Sequence, residues 1–518
     1  MPNRTRTAMT KLNAKASVVN RIITLVCNFL CRTVFIKCLS AEYLGVGGMF
    51  GNVFAVISLI ELGFGEAVSQ AMFKPLASDN MREVRGLVRY FTVVYRYISL
   101  ISFVASMAVM PFLPKLFPDI VKIENYRIVF SLFIVSQSMS FHFAPKRSLV
   151  VSDQRMYVVM NTRSITSVLV TVSQITWLIF TKNYLGYLFL RILFQLVDSI
   201  IVEIYANKKY ELSGTLKYYG IDDSLKNKIK GNTSALALHR IGGVINNSTD
   251  SILLSSVLGL SHMGVFSNYS LIVNSIGSFI ALAISSAAAS VGNLGAEENS
   301  VKSEKILEKL TFANFYLLTN CACLLLCVIN PVIEIWIGKD MCFGNVETAV
   351  IITCFYMSYI RDPVQIFLRN YGVFRSTRFI PVIRGVLNLA LSYIFVKKYG
   401  VAGVFAGTLI STLLVPFLSE PYLLFKHGFG TDCRNFLKKY VGYVMSSAVI
   451  CTLGVIMNSF VYADGVYGIV LRSFVSLGVT NVVLIAMYGR NGVISHMVHE
   501  IAKNFLENVD KKRKGEYN

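Results

Sequence analysis

The sequence predicts an all-α polytopic membrane protein with about 14 transmembrane helices, arranged as two six-helix bundles plus two additional helices. Hydrophobic residues make up 54% of the 518-residue chain and charged residues only 15%, which is far more apolar than a soluble domain. Apolar runs near the length that crosses a bilayer recur along the whole chain. The basic residues behind the net charge of +21 lie in short clusters between these runs. This pattern favours the positive-inside rule over nucleic-acid binding.

The first two spans form a predicted hairpin, Ser17–Leu39 and Tyr43–Gly65. The basic N-terminus resembles the start of a signal peptide, but the first run is long and lacks a small-residue cleavage site, so we expect a retained helix. The glycines of the second span predict close helix packing or a bend. They are Gly45, Gly47, Gly48 and Gly51.

One face of the first span is polar. Arg21, Asn28 and Arg32 lie seven and then four residues apart, which places them on one side of a helix. An arginine at membrane depth costs at least about 2.5 kcal/mol, so this face should meet a bundle interior or a wet cavity. Glu61 and Glu66, late in the second span, lie level with Arg21. We therefore expect Arg21 to form an ion pair within the hairpin.

The later spans follow from hydropathy and flanking charge. Most lysines and arginines of the loops lie on the side of the N-terminus, which predicts cytoplasmic termini and an even number of spans. The later predicted spans are Leu87–Pro111, Ile123–Ala144, Met156–Phe180, Tyr184–Ala206, Thr233–Leu258, Met263–Ser290, Leu310–Ile329, Val346–Ile360, Phe379–Val396, Val401–Phe425, Tyr440–Val461 and Val466–Met487.

An internal repeat relates the two halves. A shift that places Arg21 on Arg240 also places Asn28 on Asn247, and Leu44-Gly45-Val46 on Met263-Gly264-Val265. Two six-span halves of the same orientation follow. The predicted domains are an N-terminal six-helix bundle (1–206), an amphipathic cytoplasmic connector (207–231), a C-terminal six-helix bundle (232–425), and two further helices with a basic tail (426–518).

Apart from Lys37, two residues before the end of the first span, all lysines and arginines within the predicted spans are arginines. Guanidinium keeps its charge and matches phosphate oxygens with two parallel donors, so this selection fits a phosphate-bearing cargo or structural ion pairs. Each candidate has both interpretations. Arg32 binds cargo, or a backbone carbonyl, or Asp250 in the middle of span seven. Arg240 inherits the position of Arg21, and Arg163 and Arg384 either line a cavity or snorkel towards the cytoplasm.

A run of short motifs in the first hairpin resembles a known family. These are Arg32-Thr33-Val34-Phe35-Ile36, Glu42-Tyr43-Leu44-Gly45, Glu61-Leu62-Gly63-Phe64-Gly65 and Lys74-Pro75-Leu76-Ala77, and Thr249-Asp250-Ser251-Ile252-Leu253 resembles the start of the second half. They are similar to bacterial polysaccharide-biosynthesis membrane proteins. That family comprises the Wzx-type oligosaccharide-lipid flippases of the multidrug/oligosaccharidyl-lipid/polysaccharide (MOP) exporter superfamily.

The resemblance implies a transporter of the bacterial inner membrane that carries undecaprenyl-pyrophosphate-linked oligosaccharide through a cationic cavity by alternating access. It implies substrate contacts from Arg21, Arg32, Arg163, Arg240 and Arg384. Asn28 and Asn247 are further substrate-binding candidates, and Asn246 and Asn247 are candidates either for sugar hydroxyls or for interhelical hydrogen bonds. Asp250, Glu61 and Glu66 are candidates for ion coupling or salt bridges. The expected partners are the bilayer, a polysaccharide polymerase and a chain-length regulator, with no nucleic acid and no cofactor.

Other function classes are less consistent with the residues. The chain has no GxxxxGK[ST] phosphate loop and no defensible catalytic or metal-binding constellation, which argues against an enzyme. A polymerase or ligase acting on lipid-linked sugars would need a longer outer loop. A multidrug or cation antiporter of the same superfamily would favour an arginine-poor, anionic cavity. A passive scramblase stays open as a third alternative.

Overall fold

The fold comes from a computed structural model that describes residues 6–61, 64–212, 240–246, 248–285 and 300–489, and all regular secondary structure in these ranges is helical. The helices are α1 (Arg6–Cys38), α2 (Ala41–Ile57), α3 (Phe64–Ala77), α4 (Met81–Val109), α5 (Leu113–Leu116), α6 (Tyr126–Ser152), α7 (Met156–Thr181), α8 (Tyr184–Tyr210), α9 (240–253, with position 247 outside the description), α10 (Leu260–Ser285), α11 (Ser300–Ile337), α12 (Asn345–Tyr359), α13 (Asp362–Asn370), α14 (Phe374–Thr377), α15 (Ile380–Leu414), α16 (Pro416–Leu424), α17 (Arg434–Ser459) and α18 (Gly465–Tyr488).

The predicted fold class is confirmed. Within the described residues, eleven helices are long and apolar enough to cross a membrane. The predicted seventh span lies partly outside the described residues, and the predicted tenth is the short helix α12, which has 15 residues. The eleventh and twelfth fall within α15, α16 and the turn after it, a single run from Ile380 to Phe429. These three differences account for eleven membrane-length helices where the sequence predicts about 14 spans.

A kink in α15 separates its two arms. Gly400 has φ 55° and ψ −132°, a conformation that glycine adopts without the strain a side chain would cause. The second arm then packs back against the first, because a Cβ on Gly403 would lie 2.2 Å from the carbonyl oxygen of Phe395. Residues distant along α15, such as Asn388 and Thr408, thereby come together.

The chain divides into two compact units. The first contains the residues up to Ser275 together with Phe374–Ser419, and the second contains Ile276–Val373 and everything from Glu420 onward. In the first unit, α1 packs along α7, and α6 packs against α4 and α8. In the second unit, α11 packs against α12, α17 and α18. The four-part domain division made from the sequence stays a prediction.

Two glycines of the first unit allow α2 and α10 to cross at backbone distance. A Cβ on Gly45 would lie 2.0 Å from the carbonyl oxygen of Leu260, and one on Gly264 would lie 2.2 Å from the carbonyl oxygen of Ala41. The shift that relates Arg21 to Arg240 also relates Ala41 to Leu260 and Gly45 to Gly264. The shift therefore makes the two contacts equivalent: Gly45 touches Leu260, and Gly264, the counterpart of Gly45, touches Ala41, the counterpart of Leu260. Among the other glycines of α2, Gly51 has open space around it.

A buried ion pair in the second unit carries a stability prediction. Arg361 Nε and Nη2 donate to Glu420 Oε2 and Oε1 at 3.0 and 2.5 Å, and the two side chains are only 8% and 9% exposed. We expect Arg361→Ala to lower the unfolding free energy by about 3–5 kcal/mol, because it leaves the Glu420 carboxylate buried without its cation. Thermal unfolding in detergent measures the change.

The matched control removes an exposed arginine. Arg434 lies 3.8 Å from Asp432, and both side chains are largely exposed, so Arg434→Ala should leave the midpoint unchanged. The double variant Arg361→Met, Glu420→Leu should recover most of the loss, since it leaves no buried charge without a partner. Equal midpoints for Arg361→Ala and the wild type would contradict this account.

Candidate functional site

Arg32 lies on α1 and contacts α10. Its Nη1 donates to Ser267 Oγ at 2.6 Å and to Asn268 Oδ1 at 3.1 Å. Both acceptors are neutral, and within the described residues no carboxylate forms an ion pair with this guanidinium. The alternative that Asp250 is the partner of Arg32 is wrong. Arg32 is therefore a guanidinium within a membrane-spanning helix that no described carboxylate neutralises.

The two acceptors lie just after the glycine crossing on α10. Ser267 Oγ also donates to the carbonyl oxygen of Gly264 at 2.7 Å, which fixes the hydroxyl beside the guanidinium. Asn268 is fully buried, and its Nδ2 has no hydrogen-bond partner among the described residues. Ser267 and Asn268 were not among the residues predicted from the sequence; serine and asparagine in a membrane helix more often serve helix packing, so no local signal marks them.

Glu61 pairs with Arg240 rather than with Arg21. Arg240 Nη2 donates to Glu61 Oε2 at 2.7 Å, and Tyr95 Oη donates to Glu61 Oε1 at 2.6 Å. The expected Arg21–Glu61 pair is thus wrong. Glu61 lies in the 3₁₀ turn that ends α2, which directs its carboxylate to α4 and α9. Gly65 supports this arrangement, because a Cβ there would lie 2.7 Å from Glu61 Oε1.

The balanced charge of Arg240 sets it apart from Arg32. Its side chain is 32% exposed and that of Glu61 is 12% exposed. A carboxylate at hydrogen-bond distance competes with any phosphate for the guanidinium. Arg240 therefore forms a structural ion pair with Glu61, which joins a residue of the first repeat to one of the second. The alternative pair of Arg21 with Glu66 involves a side chain outside the described residues.

Asp250 lies in a polar cluster with the two arms of α15. Thr408 Oγ1 donates to Asp250 Oδ1 at 2.7 Å, and Asn388 Nδ2 approaches the same oxygen at 3.3 Å. Arg384, one turn before Asn388, is near enough to attract the carboxylate. Two sequence candidates, Asp250 and Arg384, thus lie together, and the kink at Gly400 is what brings Thr408 to them.

The remaining candidates do not join these clusters. Arg163 and Asn28 have exposed side chains, and no described hydrogen bond or ion pair of their side chains links them to Arg32, Glu61 or Asp250. Asn247 lies outside the described residues. Within those residues, no group of three or more His, Cys, Asp or Glu side chains is placed to hold a metal ion.

The loop between spans three and four contacts the start of α10. Asp119 Oδ2 accepts from the backbone N–H of Leu260 at 3.2 Å, and Asp119 Oδ1 lies 2.6 Å from Lys122 Nζ. The hydrogen bond from Lys122 lowers the pKa of Asp119 below its ordinary value. The carboxylate therefore stays ionised at neutral pH and accepts from the first backbone N–H of α10, beside the glycine crossing.

Comparisons with known proteins identify the fold. No family model and no curated protein sequence matches the chain. Among solved structures it is similar to the lipid II flippase MurJ in an inward closed conformation, with 15% identity, a TM-score of 0.66, and coverage of 92% of this chain and 99% of that one.

Two further solved structures share this fold. An inward-facing multidrug resistance MATE transporter of the MOP superfamily has 16% identity, a TM-score of 0.60, and coverage of 82% of this chain and 99% of that one. A MOP superfamily transporter from Pyrococcus furiosus has 13% identity, a TM-score of 0.54, and coverage of 82% and 98%. The chain therefore has the fold of MOP superfamily transporters, whereas the narrower resemblance to Wzx-type flippases rests on the sequence motifs.

Proposed function

We propose that this chain is a flippase that moves undecaprenyl-pyrophosphate-linked oligosaccharide across the bacterial inner membrane by alternating access, for the biosynthesis of O-antigen, capsule or exopolysaccharide. The proposal rests on the surroundings of Arg32. This side chain is a guanidinium within a membrane-spanning helix whose described partners are a hydroxyl and an amide oxygen, both neutral.

An anionic cargo explains this arrangement better than a structural role does. Charge-assisted hydrogen bonds to phosphate are roughly twice as strong as bonds to neutral oxygens, so a diphosphate would displace Ser267 and Asn268 from Arg32. Arg240 and Arg361 differ from Arg32 in this respect, because each is paired with a carboxylate, that of Glu61 and that of Glu420. A drug antiporter that takes cations would gain nothing from an uncompensated positive charge.

The glycine crossing supplies an element that alternating access requires. The sidedness predicted from loop charges places the start of α2 and of α10 at the outer face. In the proposed cycle, the contact of Gly45 with Leu260 and of Gly264 with Ala41 closes this face, and the two helices separate when the site opens outward. Small residues at the crossing let it re-form without side-chain rearrangement.

Asp250 is the proposed coupling residue, and its neutralisation is a direct test. Its carboxylate faces Asn388, Thr408 and Arg384, so a proton or a monovalent cation could bind there and change the packing of α9 on α15. We expect Asp250→Asn to lower gradient-driven transport about tenfold or more, the range of a typical coupling free energy. Flux is measured in proteoliposomes with and without an imposed proton or sodium gradient.

The control for this test is an aspartate remote from the cluster. Asp340 is exposed in the turn Lys339–Met341, so Asp340→Asn should transport like the wild type. Gradient-driven flux that persists in Asp250→Asn would remove Asp250 from the coupling role and would favour a passive scramblase.

Reconstitution tests the proposed function itself. Purified protein in vesicles should carry a lipid-linked oligosaccharide between leaflets, detected by a membrane-impermeant sugar-modifying enzyme, while the same lipid without diphosphate should move at the background rate. Transport of a cationic dye against a gradient, with no movement of lipid-linked sugar, would instead assign the chain to the multidrug antiporters.

A further inference from the structure

A buried hydrogen-bond donor beside Arg32 has no described partner. Asn268 is fully buried, its Oδ1 accepts from Arg32 at 3.1 Å, and its Nδ2 makes no hydrogen bond within the described residues. Folded proteins pair nearly all such groups, and each unpaired one costs roughly 1–3 kcal/mol. Asn268 Nδ2 is one of several buried polar atoms that lack a partner among the described residues, and it is distinguished by its place next to a guanidinium that has no carboxylate partner there.

We propose that Asn268 Nδ2 and Arg32 together bind a phosphoryl oxygen, and that this amide is withheld from the cargo while α2 and α10 remain in contact at the glycine crossing. The inference rests on the proposed function and deepens it. It adds a second ligand from the other repeat and links cargo binding to the opening of the outer face.

The position of Asn268 on α10 supplies this link. Asn268 follows Gly264 by four residues, so the two lie on the same face of the helix. Gly264 is the residue whose missing side chain lets α10 touch the backbone of Ala41. Movement of α10 away from α2 therefore opens the surroundings of Asn268, while Arg32 on α1 stays within reach of the same acceptor.

The donor set defines the ligand class. Arginine donates only, and the free group of Asn268 is the amide nitrogen, which also donates. A site of converging donors fits the anionic oxygens of a phosphate or diphosphate ester and rejects cations. Inorganic phosphates, phospholipids and prenyl diphosphates share this chemistry, so the experiment must separate these sources.

The test compares stability and ligand affinity in Asn268→Leu. Leucine removes the unpaired donor and also the Oδ1 acceptor of Arg32, which keeps its bond to Ser267, so the two effects oppose each other and the thermal midpoint should change little. The affinity for a short-chain prenyl diphosphate should fall about tenfold, the value of one hydrogen bond to a charged group. Binding of the matching prenyl alcohol should not change. A structural asparagine would give the opposite pattern, in which stability falls and affinity does not.

Two companion variants keep the test decisive. Asn268→Asp places a carboxylate against Arg32, so diphosphate affinity should fall further than in Asn268→Leu, because the new charge both occupies the guanidinium and repels phosphate. Asn52→Leu is the matched control, since the Asn52 amide donates only to Gly48 O within α2, and it should bind like the wild type. Competition by inorganic pyrophosphate or by phosphatidylglycerol identifies which phosphate source the site accepts.

The outcomes separate this inference from the proposed function. Wild-type protein that binds the diphosphate no better than the alcohol would overturn both. Wild-type protein that prefers the diphosphate, together with an Asn268→Leu variant of equal affinity, would overturn the role of Asn268 alone. A variant that loses stability and affinity together would assign Asn268 to packing and would also overturn the inference.

Discussion

Arg32→Ala is expected to abolish export of surface polysaccharide, with a loss of about a hundredfold in transport rate. The variant removes a charge that has no carboxylate partner among the described residues, so a cargo diphosphate would meet it without such competition, and two charge-assisted hydrogen bonds account for a loss of this size. Arg32→Lys should retain part of the activity, since lysine supplies the charge without the two parallel donors. Export is measured as surface polysaccharide in cells whose membrane content of the protein has been verified.

The control for Arg32 is an arginine in the first turn of α6. Arg127 is exposed and contacts only the neighbouring Tyr126 among the described side chains, so Arg127→Ala should export normally. Arg240→Ala should also reduce export, but by another route, because it leaves the Glu61 carboxylate unpaired. Full export in the double variant Arg32→Ala, Arg240→Ala would reject both roles.

Gly45→Val and Gly264→Val are each expected to eliminate transport. A side chain at either position would begin 2.0–2.2 Å from a backbone oxygen of the facing helix, a distance that no rotamer relieves, so α2 and α10 must move apart. Because backbone atoms are the obstacle, even alanine should impair the contact. We expect the outer face to stay open, and an increase in labelling of a cysteine introduced at Ala41 by a membrane-impermeant maleimide, in a background without native cysteines, measures this.

Gly51→Val is the matched control on the same helix. No atom lies within 4 Å of a Cβ placed on Gly51, so its transport and its labelling should equal those of the wild type. Normal transport by Gly45→Val would show that the crossing is not part of the cycle. If Gly45→Val and Gly51→Val lose transport equally, the cause would instead be a general intolerance of β-branched residues in α2.

The sequence was sufficient for the features that depend on local periodicity. Apolar runs predicted the membrane helices, and the glycines of α2 predicted close packing, which Gly45 shows. The shift that related Arg21 to Arg240 also related the residues of the α2–α10 crossing. Such inferences succeed because the helical repeat and the length of a span are properties of a short stretch of chain.

Ion pairs between distant helices could not be predicted from the sequence in the same way. Counting along the first hairpin placed Glu61 and Glu66 level with Arg21 and predicted an ion pair with one of them, whereas Glu61 binds Arg240 and Tyr95. The sequence also left Asp250 as an alternative partner for Arg32, whereas Asp250 lies with Asn388 and Thr408. Depth along a helix can be counted from the sequence, but the neighbour on that face depends on how distant helices pack.

By itself the sequence determined the class of the protein, the approximate helices, and which face of α1 carries Arg32. Only the tertiary structure decided which arginines pair with a carboxylate, because an ion pair requires two side chains from remote segments to meet at the same depth and direction. It also revealed Asn268 as an orphaned donor, since hydrogen-bond satisfaction is a property of the packed interior.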